Sequence, residues 1–500
     1  MDYTVKTKKG MLCGEQKEGF IQFLGVPYAQ APVGALRFRK PRPTEAWEGV
    51  KQVKAYGDYC IQPGNGDAAP GVKGSEDCLH LNIYTPACDE KKRPVVVWIH
   101  GGAYLTGSNS NATKFGGHMC RQADIVVAAI QYRLGAFGCV DFASLSGARG
   151  RFDTNCGTWD QVAAVNWVIE NIADFGGDPA CITLMGESAG ACSVLTLMTT
   201  PYLKGKIKRA VLDSPAPHLM NTRENGRLGA LDVLKHLGLK EEEAYKLADL
   251  PGEVLTKAVE QSEYGFVRHH PYLLPTAPVA DGDLIPELPY DALMHGAAEG
   301  IEVLIGTTRD EGTIFAQGSK KDIFPGNKEQ MERFFADHPA LNKGAVLALY
   351  PNLSPKKIYQ EIGKEVFFHL PSMEIAERMA EQGGKVYVHM FAYAFPVLRL
   401  LGMGAAHCTN SALTFGGKAE GRLKLLGMFA GKTGQELGRF VHENWCRFIA
   451  GGDPNGDKEQ EWPEYGAEKN TLIIDKVRRV EKAPYEREQK AYGVVRPYGN

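Results

Sequence analysis

The sequence has almost no net charge. Its 57 Lys and Arg residues face 59 Asp and Glu, a formal −2 at pH 7, so no basic field draws it to nucleic acid or to an anionic membrane surface. Small, neutral ligands are the expected partners. No window approaches the roughly 18 consecutive apolar residues of a membrane-spanning helix. The N-terminal segment carries Asp2, Lys6, Lys8, Lys9, Glu15, Lys17 and Glu18, leaving no apolar stretch for a secretory leader. A cytoplasmic location is the expectation. The 11 cysteines are odd in number, irregularly spaced and without a C-x-x-C pair, which argues against a disulfide scaffold or a zinc framework and makes most of them small buried thiols. No internal repeat or low-complexity linker divides the chain.

What is present reads as strand and helix in alternation. GFIQFLGVPYA and CLHLNIYTP look like early strands bounded by Pro, Gly and Asp, and VVVWIH, ADIVVAAIQY, CITLMG and IKRAVLDS follow. Their Val and Ile runs lack strict alternation, so they fit strands covered on both faces, as in a mostly parallel sheet. Between two of them, from Asp160, Val162, Val165, Ile169 and Ile172 recur at three- and four-residue steps, and Phe175-Gly176-Gly177-Asp178-Pro179 stops that helix. Residues 240–262 and 328–347 are charged and helical in pattern, as expected of surface helices inserted around a sheet. Strand-like runs return at IEVLIGTT, KVYVHMFAY and TLIID.

The stretch CITLMGESAGA carries the chemistry. Gly186-Glu187-Ser188-Ala189-Gly190 is a G-x-S-x-G pattern placed where a strand gives way to a helix-compatible run ending at Pro201. Such a turn holds its serine in a strained conformation with the hydroxyl exposed, and the small flanking residues let strand and helix close up. A serine hydroxyl is a weak nucleophile at neutral pH and needs a histidine base oriented by a carboxylate. In enzymes with this turn the chain order is serine, acid, histidine. IEVLIGTTRDEGTIF offers Asp310 and Glu311 as the acid, and His338, His369, His389, His407 and His442 follow. His389 sits in a strand-like run and His442 in a helical one, where structural roles fit better. His407, in LGMGAAHCTNSALTFG, lies in a segment able to form a loop at the sheet edge.

Longer pieces then identify a family. FLGVPYAQAPVGALRFRKP (23–41), SEDCLHLNIYTP (75–86), VVVWIHGGAY (95–104), QYRLGAFG (131–138), NCGTWDQ with WVIENIADFGGDP (155–179), GESAG, TTRDEGTIF and GAAH occur in order across nearly the whole chain. In these the chain resembles the type B carboxylesterases, the family of cholinesterases and bacterial esterases. The resemblance implies an α/β-hydrolase fold: a large, mostly parallel twisted sheet flanked by helices, with antiparallel N-terminal strands. It implies one domain over 1–500, with helical insertions at about 220–275 and 320–370 around an active-site gorge. It assigns Ser188 as nucleophile, Glu311 rather than Asp310 as acid and His407 as base. The amides of Gly102, Ala103 and Ala189 would form the oxyanion hole, and paired donors of this kind are each worth roughly 100- to 1000-fold in rate. The implied activity is hydrolysis of small to medium uncharged carboxylic esters through an acyl-serine, with no metal or organic cofactor. Amide, lactone or thioester hydrolysis on the same triad and a non-catalytic binding role are the alternatives.

The resemblance also pairs Cys60 with Cys78 as a disulfide in many members; in a reducing compartment they are expected to stay thiols. One position departs from the family pattern: Asn410 stands where an acidic residue often follows the histidine by three, while Ser214 falls where the family often has a second serine of the same buried network. Two other motifs have plain readings. Gly431-Lys432-Thr433 lacks the spacing and context of a phosphate loop and is expected to be a loop. Asp281-Gly282-Asp283 lacks the later ligands of a calcium site. Phe315, Phe367, Phe368, Phe391 and Phe395 are candidate apolar walls, with core packing expected for most.

Overall fold

The apolar runs without alternation become strands buried on both faces. A computed structural model describes residues 1–111, 116–270, 273–316, 327–339, 341–416, 431–456 and 461–494. Its strands are β1 (Asp2–Lys6), β2 (Met11–Lys17), β3 (Phe20–Pro27), β4 (Val50–Gln52), β5 (Tyr59–Cys60), β6 (Gly74–Ser75), β7 (His80–Thr85), β8 (Arg93–Ile99), β9 (Val126–Ile130), β10 (Gly177–Glu187), β11 (Arg209–Asp213), β12 (Glu302–Thr308), β13 (Val386–Phe391), β14 (Asn470–Ile474) and β15 (Arg479–Lys482). The main sheet runs β1-β2-β3-β7-β9-β8-β10-β11-β12-β13-β14-β15, with β4 beside β2. From β9 to β14 every pairing is parallel; the N-terminal pairs β1-β2, β2-β3, β3-β7 and β7-β9 are antiparallel. This is the expected α/β-hydrolase arrangement.

Successive side chains of one strand enter opposite layers. Val95, Val97 and Ile99 of β8 pack with Val165 and Val168 of the helix Cys156–Asn171 and with Leu195 of the helix Ala189–Thr199. Val96 and Trp98 face the other way, toward Phe440, Val441 and Trp445 of the helix Gly431–Gly451. Both faces are thus covered, which is why the strands read as continuous hydrophobic runs. The helix expected from Asp160 begins at Cys156, and Asp160 within it is wholly buried and paired with Arg133.

Order along the sheet fixes the site. From β8 the chain moves one way to β9, and from β10 it moves the other way to β11. The loops after β8 and β10 therefore part at neighbouring carboxyl ends, leaving the crevice that parallel sheets use for ligands.

Two further stretches of the chain are helical. Arg223–Leu237, the tight turns Glu241–Asp249 and Gly252–His269 close over Phe137, Phe142 and Leu145 as a separate apolar cluster. Further on come Lys328–Asp337, Lys343–Ala348, Pro355–Lys364 and a π-turn at Glu365–His369; 317–326 lie outside the described residues. One expectation is corrected: Gly431-Lys432-Thr433 is not a loop but opens the helix Gly431–Gly451, whose inner face is held by Leu437, Phe440 and Trp445. The Asp281 carboxylate accepts the amides of Asp283 and Ile285 and the Asn155 side chain, closing a turn. Among the described residues no helix is long and apolar enough to cross a membrane.

Candidate active site

β10 ends at Glu187 and a helix begins at Ala189, so Ser188 alone makes the turn, at φ 57° and ψ −125°. This is a strained backbone for a residue with a side chain. Close packing enforces it. A Cβ on Gly190 would sit 2.2 Å from the carbonyl oxygen of Ile99, and one on Gly186 would sit 2.3 Å from the carbonyl carbon of Gly190. The Ser188 amide donates to the Asp213 carbonyl at 2.9 Å, locking the turn to β11.

Two residues from the other half of the chain meet this serine. His407 Nε2 lies 2.9 Å from Ser188 Oγ, and its Nδ1–H donates to Glu311 in a short contact. With Nδ1 donating, Nε2 is the acceptor for the serine hydroxyl. Glu311 is fully buried and also accepts from Ser214 Oγ at 2.6 Å and from the Thr308 amide at 2.7 Å. Asp310, the other candidate acid, pairs with Arg309 and accepts the Ala405 amide at 2.7 Å, so it braces the histidine loop instead. The remaining candidate histidines do not reach Ser188. His338, His369 and His442 donate to the carbonyls of Phe334, Thr308 and Thr414. His389 is buried against Trp445, and that burial pushes it down to about 3.

Burial opposes charge on both His407 and Glu311, yet their neighbours win: Cys408 and then Glu311 raise the imidazole, and His407 lowers the carboxyl. The imidazole stands well above its usual 6.5, and the carboxyl below its usual 4.5 with help from Ser214 and Thr308. Cys408 also faces His407, but its thiol is pushed up to about 11, mainly by burial, and is neutral at pH 7.

The segment after β8 supplies the second half of the site. Ala103 and Tyr104 both adopt positive φ, 56° and 57°, and the amides of Gly102, Ala103 and Ala189 have no hydrogen-bond acceptor among the described residues. Ala189 heads its helix, so the positive end of that dipole faces the serine. His100 holds the segment from below. Its Nδ1–H donates to the Gly101 carbonyl at 2.9 Å, it stacks on Tyr132, and burial lowers it to about 4, which keeps it neutral. Of the five candidate aromatics, Phe368 and Phe315 pack on the His407 ring, at 4.8 and 5.3 Å between centroids. Phe391 and Phe395 lie in the opposite core layer and Phe367 packs behind Phe368.

Four participants were not singled out by sequence reasoning: His100, Glu187, Asp213 and Cys408. Glu187 sits inside the serine motif itself. Its carboxylate accepts from Cys408 Sγ at 2.5 Å and lies 3.4 Å from His407 Nε2. This trio is the group among the described residues with the spacing to hold a metal ion. Asp213 explains the Asn410 departure: Asn410 Nδ2 donates to its carboxylate at 3.1 Å, so β11 supplies the buried acid and position 410 supplies the donor. Asn410→Asp would set two carboxylates together in a dry site, so one must hold a proton when folded. Its folded pKa is then raised, and the variant is expected to lose stability as pH rises above about 4, unlike the parent, in urea melts across pH. Cys60 and Cys78 are both buried free thiols in mutual contact.

A model of the carboxylesterase family matches residues 1–492. The para-nitrobenzyl esterase of Bacillus subtilis (strain 168) is 32% identical over 98% of both chains. The phenmedipham hydrolase of Pseudarthrobacter oxydans is 33% identical over 94% of each. Among solved structures, a Geobacillus stearothermophilus carboxylesterase at pH 6.2 superposes with a TM-score of 0.86 at 33% identity, covering 98% of this chain and 99% of the other. Sheet order, serine turn and whole-chain similarity agree: the chain belongs to the carboxylesterase family, serine hydrolases of carboxylic esters built on the α/β-hydrolase fold.

Proposed function

We propose that Ser188, His407 and Glu311 are the nucleophile, base and acid of this esterase. The observation that carries the assignment is the unbroken hydrogen-bond chain from Ser188 Oγ through the His407 ring to the Glu311 carboxylate. His407 Nε2 takes the serine proton as Oγ bonds to the ester carbonyl carbon, and the carbonyl π pair moves onto oxygen. The amides of Gly102, Ala103 and Ala189 hold that oxyanion. When the carbonyl re-forms, the C–O bond to the alcohol breaks and His407 returns its proton to the leaving oxygen. Water attacks the acyl-serine through the same imidazole, releasing acid and free Ser188. No proton or electron is left over, and no cofactor is needed.

Apolar walls from Phe315 and Phe368 favour small to medium uncharged esters over charged ones. Because the triad draws on segments 219 and 96 residues apart, the chain acts as one catalytic domain. The odd, irregularly spaced set of 11 cysteines without a C-x-x-C pair fits a reducing, cytoplasmic setting. The test is an organophosphonate ester: it should inactivate hydrolysis of p-nitrophenyl esters with one adduct per chain, mapped to the peptide bearing Ser188. Inactivation with the adduct elsewhere would overturn the assignment.

A further inference from the structure

Beside the triad lies a second constellation that ester hydrolysis does not use. Glu187 is nearly buried, and among the described residues no Lys or Arg pairs with it. Among the described residues, the groups within hydrogen-bond or ion-pair reach of its carboxylate are the His407 ring and the Cys408 thiol. Cys408 adopts φ 70°, a left-handed conformation that a residue with a side chain rarely takes. As a result consecutive residues, whose side chains ordinarily diverge, both reach Glu187. One carboxylate oxygen, one imidazole nitrogen and one sulfur thus lie within 4.8 Å of one another.

These are the donor types of a tetrahedral N/S/O metal site. A cation bonded at about 2.0–2.3 Å sets its ligand atoms roughly 3.3–3.8 Å apart. The 3.4 Å between Glu187 Oε1 and His407 Nε2 already has that spacing, and the 2.5 Å between Glu187 Oε1 and Cys408 Sγ opens once the thiol proton leaves. Three protein ligands leave a fourth position for water. A sulfur and nitrogen donor set selects borderline and soft cations over Mg2+ or Ca2+. Charge closes as well: thiolate and carboxylate balance a divalent ion, with the imidazole neutral.

We propose that Glu187, His407 and Cys408 form an inhibitory site for a thiophilic divalent cation of the Zn2+ class. Binding exchanges the Cys408 S–H bond for a sulfur–metal bond, releasing the thiol proton to solvent, and takes the Nε2 lone pair that otherwise accepts the serine proton, displacing a second proton from any His407 that is charged. Nothing is oxidised or reduced, so a chelator reverses it. The inhibition rests on His407 being the base, whereas the binding does not, and the two are read separately.

The experiment uses the full chain stripped with a chelator. One equivalent of Co2+ should produce a thiolate-to-cobalt charge-transfer absorption, which Zn2+ then abolishes by displacement. At saturating Zn2+ the esterase rate should fall at least tenfold below its own metal-free value and return on chelation. Cys408→Ser should lose the absorption and require about tenfold or more additional Zn2+ for half-inhibition, since even outer-shell changes cost 10- to 100-fold in metal affinity. Cys181→Ser, altering a half-buried thiol elsewhere, should keep both responses. Ser188→Ala should keep the absorption, showing that the site stands without the nucleophile. Identical absorption and Zn2+ response in wild type and Cys408→Ser would overturn the site. Cobalt bound through Cys408 with esterase activity undiminished would overturn the inhibition and remove His407 from the ligand set, leaving its role as base untouched.

Discussion

Ser188→Ala is expected to reduce kcat by on the order of 10⁴-fold or more, the scale on which triad nucleophiles fail when removed. That factor corresponds to about 5.5 kcal/mol of transition-state stabilisation. The loss should fall on kcat, because Ser188 Oγ makes one hydrogen bond, to His407, and the Phe315 and Phe368 walls remain. Folding should survive. Alanine occupies the same turn at the same φ as serine, and the contacts that force the turn come from Gly186, Gly190 and the Asp213 carbonyl. Steady-state kinetics on p-nitrophenyl acetate, alongside a thermal melt, separate the two effects. A variant with a parental melt and a tenth of parental activity would place the nucleophile elsewhere.

The fold was legible wherever one strand carried its own signal. Val95, Val96 and Val97, or Val126 and Val127, read as doubly covered strands because burial on both faces removes any need for alternation. The N-terminal hairpin of β1 and β2 was harder to see. Asp2–Lys6 lies at the sheet edge with only Val5 buried, so it carries Asp and Lys and has no apolar run. The proposed site residues were legible through motifs that each occupy one turn or loop. Resemblance favours Glu311 over Asp310, while the contacts that surround Glu311, the Thr308 amide and the Ser214 hydroxyl, are encoded in no local pattern.

Pairings between distant segments were not legible. Cys408 and Glu187 are 221 residues apart, and Asn410 and Asp213 are 197 apart. Each pair exists because the loop after β13 folds back over the ends of β10 and β11. Propensity and periodicity report on neighbours in sequence, so such a juxtaposition leaves no trace in either. The GKT triplet failed for a related reason: its Gly-rich start suggests a loop, but the buried face of the helix it opens lies further on, at Leu437 and beyond.

Glu311→Gln carries the second large effect, and its direction with pH tests how the acid works. The carboxylate receives three donors: the Ser214 hydroxyl, the Thr308 amide and His407 Nδ1–H. A glutamine has one oxygen. If that oxygen serves Ser214 and Thr308, the amide NH2 faces His407 and requires Nδ1 to accept. The proton then sits on Nε2, which can no longer accept from Ser188, and turnover should fall by about 10⁴-fold, as when a triad carboxylate is replaced by its amide. Activity needs neutral His407, and Glu311 raises the imidazole above 6.5, so the acid limb of the parental kcat/KM profile should lie above that value. Without the Glu311 carboxylate, burial is opposed by fewer neighbours, Glu187 and Cys408 among those that remain, and the residual activity should show its acid limb at lower pH. Stability carries its own signature. Glu311 is held below its usual 4.5 in the folded protein, so its contribution is present above that pH and is lost as pH falls through the folded value. The glutamine variant should lack that acid-dependent loss. A large rate drop with an unmoved acid limb would mean that Glu311 only supports the loop; a drop accompanied by the downward shift ties the carboxylate to the charge on His407.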